Sequence, residues 1–203
     1  MMRPPRALPW AALLIPVLVT GCGTATEPAA GAEAASRARA SGIAPEHLYA
    51  TGAAGFTLAQ QSVGVYGGDG FSAVYVSQET GAHIQLTVDR GTMTAAGCPG
   101  RPVAGASGGT TKCVRDGDAW YRVTGGHREY AVPKDGHVVH VGGSAGVSRD
   151  VLREAALGAH RPSAGELDAL LPSAAPAPTA PLERGDLPPV GDGAPRDEVG
   201  TSG

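Results

Sequence analysis

Between Phe56 and Val141 the chain is cut into short apolar runs by glycine-rich turns, and this rhythm restricts the fold more than any other feature. Phe56 to Tyr66 ends at Gly67-Gly68-Asp69-Gly70, and Phe71 to Ser77 ends at Glu79-Thr80-Gly81. His83 to Asp89 alternates cleanly, with Ile84, Leu86 and Val88 on one side. A stretch rich in Gly and Pro follows. Then come Ala119 to Val123, Gly125-Gly126, Arg128 to Val132, the turn Pro133-Lys134-Asp135-Gly136, and Val138 to Val141. Runs of this length bounded by turn residues read as strands. Consecutive strands joined by tight turns pair antiparallel.

The period then changes. Ser148 is placed to cap a helix whose apolar positions are Val151, Leu152, Ala155 and Ala156. Ser163-Ala164-Gly165-Glu166 has the form of a capping box, and Leu167, Leu170 and Leu171 follow it. The predicted fold is α+β: an antiparallel sheet of about six or seven short strands followed by two C-terminal helices packed on one face.

The flanks have a different character. The chain has 203 residues with 31 Gly and 17 Pro, and much of that excess lies outside the strand region. Gly23 to Ser41 shows no apolar period and reads as a flexible tether. The tail beyond Pro172 is rich in proline and poor in aliphatics. Too little surface can be buried there to offset chain entropy, so it is expected to be disordered. The predicted organisation is a leader at 1–21, a tether at 22–42, a globular domain at 43–172 and a Pro-rich tail at 173–203.

The leader places the protein. Arg3 and Arg6 precede an apolar stretch from Ala7 to Thr20, which Pro9 and Pro16 interrupt. At about 14 residues the stretch is shorter than the ~20 needed to span a bilayer. Its layout is that of an export signal. Val19-Thr20-Gly21-Cys22 resembles the lipobox of bacterial lipoprotein signal peptides. That resemblance implies acylation of Cys22 by a diacylglyceryl group, palmitate-type chains, and tethering to the outer face of the bacterial cytoplasmic membrane. Two acyl chains anchor stably where one is marginal.

Export bears on the other two cysteines. Outside the cytoplasm, Cys98 and Cys113 are expected to form a disulfide. A zinc site is poorly supported, because neither a CxxC pair nor a properly spaced histidine pair accompanies them. The formal charge is −3, and the leader holds two arginines and no acid, so the remainder carries −5. That balance gives no net attraction to nucleic acid.

The region from Gly42 to Pro172 resembles a group of actinomycete, Streptomyces-like cell-surface lipoproteins of uncharacterised function. The residues that carry the resemblance are Gly55-Phe56, Ser62-Val63-Gly64-Val65, Gly70-Phe71-Ser72-Ala73, the Cys98/Cys113 pair and Trp120-Tyr121-Arg122. The final stretch, from Val139 through Ser148-Arg149-Asp150-Val151-Leu152 to Ala156, is similar to bacterial lipoprotein domains that finish with a strand and a serine-capped helix. The resemblance implies location and fold class and carries no activity with it.

Two segments match the G-x-S-x-G nucleophile pattern. The first, Gly105 to Gly109, lacks a flanking strand or helix. The second, Gly142-Gly143-Ser144-Ala145-Gly146, lies between a strand and a helix, the context an elbow requires. His160 and Asp168 follow, but the acid comes after the histidine, the strands read as antiparallel, and the helix begins at its own cap beyond Ser144. No catalytic residue is therefore assigned. A surface serine hydrolase using Ser144 is kept as the alternative reading. Metal is not expected either: His137 and His140 are three apart and point to opposite faces of a strand. No cofactor is expected.

Strand alternation also sorts the sheet into two faces. One would carry Val74, Val76, Ile84, Leu86, Val88, Tyr121, Val123, Tyr130, Val132, Val139 and Val141, and would take the helices. The other would carry Phe71, Tyr75, His83, Gln85, Trp120, Arg122, Glu129 and His140. Tyr, Trp and Arg serve as anchors at binding surfaces, so Tyr75, Trp120, Arg122 and His140 are the candidate binding residues. The expected function is that of a lipid-anchored, non-enzymatic binding or accessory module. A structural or signalling accessory of the envelope is a further alternative.

Overall fold

A computed structural model describes residues 27–173. The leader, Cys22 and all but the start of the Pro-rich tail lie outside the described residues. Seven strands form one antiparallel sheet: β1 (Thr57–Tyr66), β2 (Gly70–Val76), β3 (His83–Arg90), β4 (Lys112–Asp116), β5 (Ala119–Thr124), β6 (His127–Lys134) and β7 (His137–Gly143). Two C-terminal helices follow, α2 (Arg149–Leu157) and α3 (Ala164–Leu170). The sequence reading of an α+β domain holds, and so do both caps. Ser148 accepts the backbone N–H of Val151. Ser163 and Glu166 form a reciprocal capping box.

The strand order is β1-β2-β3-β7-β6-β5-β4. Two meanders, β1–β3 and β4–β7, are thus joined side by side through the β3–β7 pair. This order sends the connection from β3 to β4, residues 91–111, from the middle of the sheet to its far edge. Met93, Cys98 and Val103 of that connection are buried. Cys98 is bonded to Cys113 of β4, which ties the connection to the edge strand.

The helix-side core holds Phe71, Ala73 and Tyr75 of β2, Ile84, Leu86 and Val88 of β3, Tyr130 and Val132 of β6, and Val139 and Val141 of β7. Leu152, Ala155 and Ala156 of α2 and Leu167 and Leu170 of α3 cover them. Two ion pairs fasten α2 at the far edge: Asp116, at the β4–β5 turn, receives Arg149 at 3.2 Å and Arg153 at 3.2 Å.

Three sequence expectations are corrected. On β2 the core takes Phe71 and Tyr75 and not Val74 and Val76. Both sets are apolar, so alternation alone does not choose between them. The aromatic pair buries more surface, and the Tyr75 hydroxyl accepts the N–H of Thr51 at 3.3 Å. The Gly- and Pro-rich stretch between Asp89 and Ala119 carries no strand signal, yet β4 lies in it. This is a five-residue strand paired with β5.

The third correction concerns the tether. Most of it is a helix, α1 (Glu27–Ala40). Its contacts are made by alanines four apart, Ala34 and Ala38, which give no apolar signal. Arg37 pairs with Glu33 on the same helix and with Asp168 of α3 at 2.6 Å, and also donates to the Leu171 carbonyl at 3.0 Å. The folded unit therefore begins earlier than residue 43.

Candidate functional site

On β5, alternation turns Trp120 and Arg122 away from the helices and toward the β3–β4 connection. The hairpin through Gly125-Gly126 sets Arg122 directly opposite Glu129, and the following β6–β7 hairpin sets Ala131 opposite His140. Opposite and diagonal neighbours on one face of a sheet are within reach of long side chains. Arg122 and Glu129 form a salt bridge with side chains only 0 % and 2 % exposed. The other terminal nitrogen of Arg122 donates to the carbonyls of Arg101, of Cys98 at 3.4 Å and of Pro102 at 3.4 Å. One arginine thus holds the covering connection down on the sheet.

His140 extends the network. Its Nδ1 lies 3.0 Å from Glu129 Oε1, and its Nε2 lies 3.3 Å from Asp89 Oδ1. Asp89 also faces Arg101 at 3.7 Å. Burial alone would push the His140 pKa down. The carboxylates of Asp89 and Glu129 beside its ring nitrogens outweigh that and raise it. Burial pushes the other way on Asp89, whose carboxyl is nonetheless held below its ordinary value by His140 and Arg101. With carboxylates on both ring nitrogens, the imidazolium is the form that satisfies both. The cluster then pairs Arg101, Arg122 and His140 with Asp89 and Glu129 in a largely buried setting.

Two cavities adjoin the cluster. One of about 80 Å³ is lined by Thr87, Asp89, Arg101, Glu129, His140 and Tyr66. A wider groove of about 490 Å³ is lined by His83, Gln85, Thr87, Glu129, His127, Gly142 and Ser144, with residues 103–105 as a wall. Thr87, Ala104 and Glu129 line both. On β7, Gly142 lies opposite Gln85 and Glu129, and a Cβ there would approach no atom closer than 3.6 Å. The absent side chain is what opens the groove floor.

Of the four candidate binding residues, three share this face and one does not. Tyr75 points into the helix-side core. Trp120, Arg122 and His140 lie on the opposite face but are buried, so they do not form an open sheet surface. Trp120 packs with Met93, Cys98, Ala131 and Val138, and the Arg115 guanidinium sits 5.0 Å from its ring centroid. The reason is topological: the β3–β4 connection crosses that face, and strand alternation carries no information about what crosses a sheet.

The residues of the Ser144 reading are not brought together. Ser144 Oγ accepts the N–H of His83 at 3.0 Å, and its own N–H donates to the His83 carbonyl at 3.0 Å. His160 pairs with Glu166 at 3.1 Å, and Asp168 with Arg37. His137 and His140 do face opposite ways: His137 Nε2 lies 3.2 Å from the Tyr49 hydroxyl, on the side away from Glu129. Among the described residues, no group of three or more His, Cys, Asp or Glu is arranged to hold a metal ion.

Sequence reasoning passed over Glu129 as a selected residue and missed Asp89. A signal existed for the first. Arg122 and Glu129 are equidistant from Gly125-Gly126, so a tight hairpin must pair opposite charges. No family model matches the chain, and neither a curated protein nor a solved structure is significantly similar to it.

Proposed function

We propose that this protein is a lipid-anchored module on the outer face of a bacterial cytoplasmic membrane, acting as a non-enzymatic binding or accessory component. The observation that carries the reading is the distribution of cysteine. Cys98 and Cys113 are oxidised to a disulfide, the state expected outside the cytoplasm. The remaining cysteine is Cys22, in the Val19-Thr20-Gly21-Cys22 motif after a basic, apolar leader. The groove above Gly142 supports a binding role. Its volume lies within the roughly 300–1,000 Å³ of ligand pockets, and its floor offers Gln85, Thr87 and the buried carboxylate Glu129.

Two measurements test the reading. In cell fractionation, wild type should stay with the membrane while Cys22→Ser moves to the soluble or secreted fraction. Equal membrane retention of both would refute the anchor. In native mass spectrometry of protein purified from its own membrane, wild type should carry a bound mass that Gly142→Val loses. An identical spectrum for the two would remove the groove from the proposal.

A further inference from the structure

An apolar depression lies beside α1, away from the buried ionic cluster. It has a volume of about 700 Å³ and is walled by Gly31, Ala34 and Ala35 of α1, by Leu48, and by Pro162 and Ala164 ahead of and within α3. Its size comes from α1 itself: the residues it presents there are glycine and alanine. A Cβ at Gly31 would meet nothing within 4 Å. The opposite wall is fixed. Arg161 donates to the carbonyls of Pro45 at 2.9 Å and Leu48 at 3.2 Å, and its guanidinium sits 4.5 Å from the Tyr49 ring centroid. Among the described residues that line the groove there is no carboxylate.

The direction of the chain supplies the occupant. Gly31 lies one turn into α1, about 6 Å from the helix start at Glu27. Cys22 precedes Glu27 by five residues, which span at most about 17 Å. A group attached at Cys22 is therefore within reach of the groove. A groove walled by glycine and alanine of α1, with Leu48 and Pro162 opposite, suits an aliphatic chain delivered from that side. We propose that the groove receives an acyl chain of the lipid carried by Cys22. This rests on acylation of Cys22 as proposed above. Seating one chain of a diacylglyceryl group on α1 leaves the other for the bilayer, and a single chain holds a protein to a membrane only marginally and reversibly. The groove would therefore set how firmly the module is retained.

The test uses the full-length protein in its own cells, fed a palmitate analogue that bears a diazirine. The protein is purified from the membrane, irradiated and digested. The expected result is a cross-link from the Cys22 lipid to peptides holding residues 31–35, 45–48 or 160–164. Both Gly31→Leu and Ala35→Leu should abolish it, with circular dichroism unchanged. Analogue at Cys22 whose cross-links reach only bilayer phospholipid overturns the groove assignment and leaves the anchor standing. Absence of analogue from Cys22 overturns both. Groove adducts that persist in Cys22→Ser assign the groove to a bilayer lipid and overturn the occupant proposed here.

Discussion

Replacing Arg122 with methionine keeps much of the stem and deletes the guanidinium. What is left behind sets the cost. Glu129, 2 % exposed, loses its cation and keeps only His140, and the carbonyls of Cys98, Arg101 and Pro102 lose a shared donor. Removing one partner of a buried ion pair costs about 3–5 kcal/mol, against a total stability of about 5–15 kcal/mol. For a urea slope of about 2 kcal/mol/M, the midpoint should fall by roughly 2 M. Urea unfolding at pH 7 with the disulfide intact is the assay. The double variant Arg122→Met with Glu129→Leu should recover about 1–3 kcal/mol relative to the sum of the single changes, because no buried charge is then orphaned. A loss below about 1 kcal/mol for Arg122→Met, or strict additivity of the two changes, would refute the view that this pair pins the β3–β4 connection to the sheet.

Three further outcomes follow from the same geometry. The His140 pKa is raised on folding, so its stabilisation is complete below the unfolded value of about 6.5 and is lost as pH rises through the higher folded value; urea midpoints should fall over that window in wild type and flatten in His140→Gln. Cys113→Ser opens the 98–113 loop and should cost about 3 kcal/mol by loop-closure entropy, read as a drop in midpoint that reducing agent reproduces in wild type. A Cβ at Gly70 would lie 2.5 Å from the Val88 carbonyl oxygen and 2.6 Å from that of Tyr66, whereas one at Gly142 meets nothing closer than 3.6 Å; Gly70→Ala should therefore destabilise by about 1–3 kcal/mol, the range for overpacking, and Gly142→Ala should leave the midpoint nearly unchanged.

Local signals carried most of the architecture. Glycine turns marked the hairpins, and Ser148 and Ser163 marked the helix starts, because caps and turns are decided by a few neighbouring residues. What failed depended on partners distant in sequence. Neither the β3–β7 junction nor the path of residues 91–111 across the sheet has a local signature. The fate of Trp120, Arg122 and His140 was therefore not readable from alternation. On β2, two equally apolar sets of side chains left the facing undecided until the helices were in place. Helix α1 escaped notice because its contact stripe is alanine, which reads the same in a tether as in a packed helix. The Arg122–Glu129 pair was legible from hairpin symmetry. The role of Asp89 needed the β3–β7 register, which sets Thr87 opposite His140 and places Asp89 on the same face one step along.

Peptide mass spectrometry of the protein purified from its own membrane tests the proposed lipid anchor at Cys22 and the disulfide together most directly. The expected result is a mature chain that begins at Cys22, with a diacylglyceryl modification on that residue and a Cys98–Cys113 linked peptide in the unreduced digest. An intact leader, an unmodified N-terminus at another residue, or free thiols at Cys98 and Cys113 would contradict it.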